Sequence, residues 1–555
     1  MNKPFVSGGS SVILALAMAI SACAPTAAPP SGQPSGAASP APARAASPTP
    51  ASAPASAPQY GGKLIHMYSG GASTTDGQQD VEANFLSAPG YDTLIQYDAE
   101  SGEKLVPALA TSWDVAANGT ITFKIRQGVK FHDGTSLTTD DVAFNLERII
   151  FPPQGVKSNL AFLLRPVTDK IERVDESSVR VVLKYPFPAF LPTIAIEYAP
   201  IYSKALVAKK GNMTSDVMGT GPFVLGEYVP KQYVEFKKSD TYWEKGRPYL
   251  DGVRIQMIMD PATRVAAMRT HQVQTTGRIF DAFTPSEVQS IKSNAPGVVF
   301  RPVIAAGAGP WLFMNTKKPP FNDIRVRRAV NLSINRYSAI ATIAENDGKL
   351  ASFFNGIKDW GLTDEELLKL PGFAKDKKAE MDQARALLRE AKLESGFDLD
   401  ILSRANTLTR LSSEFLGGQM QEIGIRSKVS LLEDGVLFPR GGRGDFAALV
   451  YTPGFLVADP IWMGRYYIPG GTLNFTGNEG DDKLKSLWTQ QSQELDSAKR
   501  KDLIKQIARH SWEQLYAIPV VWPQVYTAWW PEVQGMVVPV TNYTRNNVSH
   551  VWIKR

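Results

Sequence analysis

The chain of 555 residues is poor in the features that mark several classes of protein. It contains one cysteine, which excludes a disulfide-rich scaffold and any zinc or redox site built on paired cysteines. It has no apolar run of about 18 residues, so no ordinary membrane-spanning helix is predicted. Lys and Arg number 60 against 54 Asp and Glu, and this thin excess gives no support for a nucleic-acid binder. With 43% hydrophobic residues, the chain is long enough for about two to four domains.

Short catalytic motifs are also missing. Five histidines are scattered, and no two lie four residues apart with a carboxylate partner, as a metallohydrolase would need. The chain has neither a GxxxxGK[ST] phosphate loop nor a GxSxG nucleophile turn. The stretch 442–447 matches a loose GxGxxA pattern, but Pro439, Arg440 and Gly441 precede it where a buried strand is required. We therefore expect no enzyme, no cofactor and no metal, although a site assembled from distant segments escapes a motif search.

The single cysteine lies in an N-terminal segment with the features of a secretion signal. Lys3 precedes the apolar stretch Val12–Ile20, and small residues follow before Cys23. A basic start, about 7–15 apolar residues and small residues at the cut are typical of a signal peptide. The run Ile20-Ser21-Ala22-Cys23 resembles the bacterial lipobox, in which the cysteine is lipidated and becomes the mature N-terminus. The resemblance implies a signal peptide over 1–22 and a lipid anchor on Cys23, outside the cytoplasm.

Residues 23–58 are predicted to be a disordered tether. From Ala24 to Pro58 all but six residues are Ala, Pro or Ser, and Arg44 carries the only charge. Such a segment cannot bury enough apolar area to offset the entropy of ordering it. Its prolines favour an extended chain of about 3 Å per residue, with a reach on the order of 100 Å. The sequence thus describes a soluble body held near a membrane.

Hydrophobic periodicity predicts a mixed α/β body. Residues 121–126 and 179–185 alternate with period two, and Thr138 with the acidic residues after it marks the start of a helix between them. Further along, a strand at 397–401, a helix through 411–423 and a strand from Ile425 suggest a parallel βαβ unit.

The segment from Leu105 carries the most specific pattern in the chain. It reads LVPALATSWDVAANGTITFKIRQGVKFHDGTSLTTDDVAFNLERI and resembles the signature of the family 5 extracellular solute-binding proteins. This is the dipeptide-, oligopeptide- and nickel-binding group that serves bacterial ABC importers. Further matches follow in the family's order: Gly219-Thr220-Gly221-Pro222-Phe223, Tyr242-Trp243, Pro248-Tyr249-Leu250-Asp251, Met314-Asn315-Thr316, Pro319-Pro320-Phe321-Asn322-Asp323 and Gly444-Asp445-Phe446. Within the signature we expect Trp113 and Phe131 to be buried and His132 to be a hydrogen-bonded structural residue.

The resemblance implies an α/β fold with three lobes, of the periplasmic-binding-protein type (type II, cluster C). Lobe I is discontinuous and takes 59–89, 219–300 and 521–555, with lobe II inserted over 90–218. Lobe III takes 301–520 and faces the other two across the ligand cleft, which lies between lobes I and III. A solute that contacts both sides stabilises the closed form, which a permease then recognises.

Four segments of the family line this cleft: the end of the first strand, the start of lobe III, the loop after its first strand, and the turn before an Asp-Pro pair. By the resemblance, ligand contacts are expected from Tyr68, Ser69, Gly70, Trp311, Ser403, Asn406, Tyr451, Phe455 and Trp462. Turns beside a cleft also need Gly, Ser and Asn for backbone reasons. A structural role therefore stays open for each of these residues.

The sequence departs from the family at one position that bears on the substrate. Peptide binders of this family place an aspartate in the Tyr451 region, where it pairs with the ligand's α-ammonium group. Here the stretch YTPGFLVADPIWMGRYY has no acid before Asp459, which adjoins Pro460 and is similar to the family's separate structural Asp-Pro. A buried ammonium without a carboxylate costs several kcal/mol, which disfavours free peptide termini. The aromatic residues suit a sugar, an aromatic or a lipophilic solute equally well.

The leading hypothesis is a monomeric, lipid-anchored solute-binding component of an ABC importer. It captures a peptide-like or other small solute and delivers it to permease subunits, and it has no nucleic-acid partner. One alternative is an extracytoplasmic sensor that hands the ligand to a receptor. Others are a binding protein for a sugar, an aromatic or a metal chelate, and a hydrolase whose nucleophile and base meet in the cleft.

Overall fold

A computed structural model describes residues 57–72, 74–98, 102, 104–304, 309–357, 360–538 and 548–555. The predicted signal peptide, Cys23 and the tether up to residue 56 lie outside these residues. Among the described helices, none is long and apolar enough to cross a membrane. From Ala57 onward the chain forms one unit, and its secondary structure is mixed α/β as predicted.

The strands predicted at 121–126, 179–185, 397–401 and from Ile425, and the helices predicted after Thr138 and through 411–423, are all present. The described strands are β1 (Lys63–Tyr68), β2 (Ile95–Tyr97), β3 (Leu105–Pro107), β4 (Ala110–Val115), β5 (Ile121–Ile125), β6 (Thr168–Asp175), β7 (Ser178–Leu183), β8 (Phe223–Val229), β9 (Tyr233–Lys238), β10 (Gly252–Met257), β11 (Thr275–Thr276), β12 (Val299–Ile304), β13 (Trp311–Met314), β14 (Gly348–Leu350), β15 (Phe397–Arg404), β16 (Ile425–Leu432), β17 (Ala448–Tyr451), β18 (Ala517–Pro519), β19 (Val521–Trp529), β20 (Val533–Gln534) and β21 (Trp552–Ile553). The described α-helices are α1 (Val81–Ser87), α2 (Thr139–Ile150), α3 (Ala161–Leu164), α4 (Phe190–Ile194), α5 (Lys204–Lys210), α6 (Pro261–Arg269), α7 (Pro285–Lys292), α8 (Ile324–Ser333), α9 (Arg336–Ile343), α10 (Asp364–Leu367), α11 (Lys378–Glu390), α12 (Thr407–Gln421), α13 (Asp434–Arg443), α14 (Gly464–Tyr467), α15 (Asp482–Gln493) and α16 (Ser497–Gln514). Short 3-10 turns lie at Ala88–Gly90, Ile279–Asp281, Pro460–Met463 and Val548–His550.

The largest sheet draws its strands from distant parts of the chain. Its order is β12-β19-β11-β1-β10-β9-β8, and β14 pairs with β19. Strand β1 runs parallel to both β10 and β11, so the carboxyl ends of these three strands lie at the same edge. A discontinuous lobe I needs such an arrangement, and the bounds of the three lobes stay a prediction.

A second sheet has the order β16-β15-β17-β13-β18. Strands β15 and β16 are parallel, with α12 between them in the chain, so the predicted βαβ unit is confirmed. Strand β17 is parallel to β15, whereas β13 runs antiparallel to β17. The start of β13 therefore lies beside the ends of β15 and β17.

A third sheet, β4-β5-β7-β6, packs beside helix α2. The predicted start of this helix is confirmed, because Thr138 and Asp141 form a reciprocal capping box. Near the end of the same helix, Arg148 is buried and its Nη2 donates to the Asp76 carboxylate at 2.7 Å. That ion pair connects α2 to the segment that follows β1.

The family signature is mostly structural, with one correction. Phe131 is buried as predicted, but the burial predicted for Trp113 is wrong, since the residue is only half-buried. It lies on β4, an edge strand of its sheet with several exposed positions, and it reaches the core only in part. His132 has the expected hydrogen bond, with Nε2 3.0 Å from the Gly221 carbonyl oxygen, and burial lowers the pKa of its ring.

Candidate functional site

Three of the four predicted cleft segments meet at one edge of the β16-β15-β17-β13-β18 sheet. Trp311 at the start of β13 is directly opposite Tyr451 at the end of β17. Ser403, near the end of β15, pairs in register with Val450 of β17. Ligands of α/β proteins bind outside the carboxyl ends of parallel strands, and β15 and β17 both end here. We call this edge the lobe III edge.

Two of the predicted residues lie in an aromatic cluster beneath this edge. Trp311 is fully buried, with ring centroids 5.2 Å from Phe353 and 6.4 Å from Trp522. Phe455 is also fully buried, 6.3 Å from the same Trp522 ring. In this structure both rings therefore pack in the core next to the lobe III edge.

Tyr451 and Trp462 belong to a second group, which reaches across to another part of the molecule. The Tyr451 and Tyr466 ring centroids are 5.8 Å apart. Trp462 packs edge-on against Phe162 of helix α3, at 5.0 Å between centroids. Burial raises the pKa of the Tyr451 hydroxyl well above its usual range, so this phenol stays neutral and can donate a hydrogen bond.

Ser403 and Asn406 flank a cation at the end of β15. The Arg404 guanidinium pairs with Asp434 at the start of α13, and its Cζ lies 5.9 Å from the Tyr451 ring centroid. Ser403 is buried, whereas Asn406 is exposed and uses its side-chain oxygen to cap α12 at the Thr409 N–H, 2.9 Å away. The cap gives Asn406 a structural role, one of the two roles that its sequence position allows.

The fourth predicted segment lies at the carboxyl end of β1. The Tyr68 hydroxyl donates to the Glu82 carboxylate, and the Ser69 N–H donates to Asp281 at 2.8 Å. Arg278 lies over the Tyr68 ring, 4.4 Å from its centroid, and 3.3 Å from Glu82. Burial raises the pKa of the Tyr68 hydroxyl, with the nearby arginine opposing the shift.

Three charged residues of this segment were missed by the sequence analysis: Glu82, Arg278 and Asp281. They come from the first turn of α1 and from the turn after β11. Only the parallel pairing of β11 with β1 brings that turn beside Ser69. The Arg278-x-x-Asp281 spacing was a local signal, because the Asp281 carboxylate accepts from the Arg278 N–H, at 2.9 Å, at the start of the 3-10 turn.

The structure assigns Asp459 a role apart from any ligand. Its carboxylate accepts two hydrogen bonds from the Arg500 guanidinium, at 2.6 and 2.7 Å, and both side chains are buried. One of its oxygens also caps the 3-10 turn at the Ile461 N–H, 2.9 Å away. The interpretation of Asp459 as a structural residue is confirmed, and residues 451–458 contain no acid.

The fold matches that of solved periplasmic peptide-binding proteins, the type II binding-protein fold. A binding protein of Helicobacter pylori, DppA, solved with the peptide STSA, superposes with a TM-score of 0.73 at 24% identity over 90% of this chain and 99% of that one. NikA of Brucella suis, solved with Fe(III)-EDTA, superposes with a TM-score of 0.73 at 19% identity over 89% of this chain and 100% of that one.

Sequence comparison defines the family. The profile of the bacterial extracellular solute-binding proteins, family 5 (middle region), matches residues 104–469. The chain therefore belongs to the family 5 solute-binding proteins of ABC importers. Di/tripeptide-binding protein 2 of Pseudomonas aeruginosa is 28% identical over 497 residues, covering 80% of this chain and 86% of the relative. Members of the family are extracytoplasmic binding proteins rather than enzymes.

Proposed function

We propose that the protein captures a peptide-like or other small solute between its lobes and delivers it to the permease of an ABC importer. The observation that carries the proposal is the convergence of β13, β15 and β17 at the lobe III edge. Residues predicted from three distant segments lie side by side there, as a cleft wall requires. The protein would act as a monomer, held to the membrane by a lipid on Cys23.

The proposed mechanism is hinge closure. A solute that contacts both the lobe III edge and the end of β1 binds the closed form better than the open one, and this difference in affinity drives closure. Rigid aromatic faces such as Tyr451 and Trp462 supply contact area at small entropic cost. The Arg404–Asp434 ion pair lies beside them at the end of β15.

Peptides are the leading solute class because peptide binders dominate the family. The stretch without an acid after Tyr451 favours a second candidate, a solute without a free ammonium group. A sugar, an aromatic molecule or a metal chelate would meet that condition. The two candidates differ in how they respond to acetylation of a peptide's N-terminus.

Calorimetry with di- and tripeptides, each in free and N-acetylated form, tests the solute class. We expect the affinity for each acetylated peptide to be within about threefold of the affinity for its free form. The reason is that residues 451–458 provide no carboxylate that would pair with a free ammonium group. Tight binding of the free peptides that disappears on acetylation would show that the site does pair with a free ammonium group. Native mass spectrometry of protein purified from its own source, searched for a co-purifying small molecule, covers solutes outside the peptide panel.

A matched pair of variants tests the site itself. Tyr451→Ala removes a ring from the lobe III edge and should weaken binding at least tenfold. Tyr185→Ala removes a half-buried tyrosine that follows β7 in another sheet and should leave affinity unchanged. Equal affinities in the two variants, with both proteins folded, would place the solute elsewhere.

A further inference from the structure

Arg465 lies in a cage of aromatic rings beside the lobe III edge. It follows Trp462 by three residues, on the one-turn helix α14. Its Cζ is 4.4 Å from the ring centroid of Phe162, 5.1 Å from that of Trp462 and 5.4 Å from that of Tyr466. Two of these rings belong to the same segment as Arg465, and Phe162 comes from α3, about three hundred residues away along the chain.

The guanidinium of this half-buried arginine has no hydrogen-bond partner among the described residues. Its Nε is buried without a partner, and no carboxylate among the described residues pairs with it. The buried arginines Arg148 and Arg500, by contrast, each donate to an aspartate. A guanidinium has five N–H donors, and stacking on aromatic rings satisfies none of them.

The energetic balance points to a missing acceptor. Contact with an aromatic face stabilises the charge of a guanidinium but accepts none of its hydrogen bonds, and a buried donor such as Nε is destabilising without an acceptor. The rings fix the plane of the guanidinium without neutralising it. A planar, preoriented guanidinium matches the two oxygens of a carboxylate or phosphate.

We propose that Arg465 binds an anionic group of the captured solute, a carboxylate or a phosphate, and that the solute is therefore an acidic molecule. This inference rests on the proposed function, since it takes the lobe III edge as one wall of the cleft. Tyr451 and Tyr466 connect Arg465 to Arg404 along that wall. Asp434 already offsets the charge of Arg404, so Arg465 is the cation left for the solute. Because Phe162 closes the cage, seating the anion is coupled to the packing of α3 against lobe III.

The test compares two isosteric dipeptides with amidated C-termini, alanylglutamate amide and alanylglutamine amide, by calorimetry at constant ionic strength, so that the glutamate side chain is the only anionic group in the pair. Wild-type protein should bind the acidic peptide about ten- to a hundredfold more tightly, the ratio expected for a charge-assisted hydrogen bond. Arg465→Gln should abolish the preference, and Arg465→Lys, which keeps the charge and most of the stem, should retain part of it. Arg410→Gln, which changes a partly exposed arginine of α12, is the matched control and should keep the full preference.

The inference is overturned if wild type binds the two peptides equally, or if Arg465→Gln keeps the preference. If neither peptide binds, the peptide form of the proposed function fails. The anion site at Arg465 can then be tested separately with simple anions. Glutarate and phosphate should then raise the melting temperature of wild type and of Arg410→Gln, but not of Arg465→Gln. Shifts of equal size in all three proteins, or in none, would reject Arg465 as an anion-binding residue.

Discussion

Three buried arginines and the half-buried Arg465 show how strongly the surroundings decide what one residue type does. Arg148 and Arg500 are held by aspartates, which fixes both as structural ion pairs. Arg336 has backbone carbonyls and Asn331 as acceptors, and burial lowers its pKa to about 9. Arg465 has aromatic faces and no acceptor among the described residues. Of these four arginines, Arg465 alone makes no hydrogen bond from its guanidinium to the described residues, which leaves its donors available to a solute.

At the end of β1, Gly70 leaves no space for a side chain. A Cβ there would lie 2.1 Å from Glu82 Oε2 and 2.3 Å from the Tyr68 hydroxyl oxygen. Because these two groups are hydrogen-bonded to each other, Gly70→Ala has to push one of them away. We expect this substitution to lower the free energy of unfolding by about 1–3 kcal/mol, measured by urea denaturation.

The neighbouring glycine provides the control. A Cβ at Gly71 would meet only the sulfur of Met259, at 3.3 Å, and this exposed, flexible side chain can move aside. Gly71→Ala should therefore change the unfolding free energy by less than about 0.5 kcal/mol. Equal losses in the two variants would mean that steric crowding at Gly70 is not the cause.

At the scale of the elements, the sequence predicts those helices and strands whose bounds depend on neighbouring residues. The β15-α12-β16 unit follows from hydrophobic periodicity, and the start of α2 follows from Thr138 and its acidic neighbours. The contacts of Glu82 with Arg278, and of Trp462 with Phe162, join residues far apart in the chain and leave no local signal. Asn406 shows a further limit of prediction from sequence. An asparagine can serve as a helix cap or as a ligand contact, and the residue type alone does not distinguish the two roles.

The Asp459–Arg500 ion pair joins the start of a 3-10 turn to helix α16 behind the lobe III edge. Asp459→Asn would keep one acceptor oxygen but remove the negative charge that balances the buried Arg500 guanidinium. Breaking one partner of a buried pair costs about 3–5 kcal/mol, and we expect a loss of this size in urea denaturation. Asp398→Asn, which breaks an exposed pair with Arg426, should cost less than about 1 kcal/mol. A loss at Asp459 no larger than that at Asp398 would contradict the structural role.

For the whole molecule, the contacts around Phe162 join parts of the chain that belong to the proposed lobes II and III. Phe162 packs on Trp462 and Arg465, and the main hydrophobic core includes residues of both regions. In the hinge-closure mechanism these contacts belong to the closed form. The body from Ala57 onward is a unit of its own, so its folding should not depend on what happens to the N-terminal segment.

The predicted lipid anchor can be tested at this scale with a single substitution. Cys23→Ser removes the only thiol of the chain and should release the protein from the membrane fraction without changing the melting temperature of the body. Stable attachment takes about two acyl chains, so a variant without the lipidated cysteine has no comparable anchor. Adding Ser47→Cys to this variant restores a thiol outside the lipobox-like run, and the protein should stay in the soluble fraction. Membrane attachment of Cys23→Ser through its N-terminus would show that the segment anchors the protein by some other means.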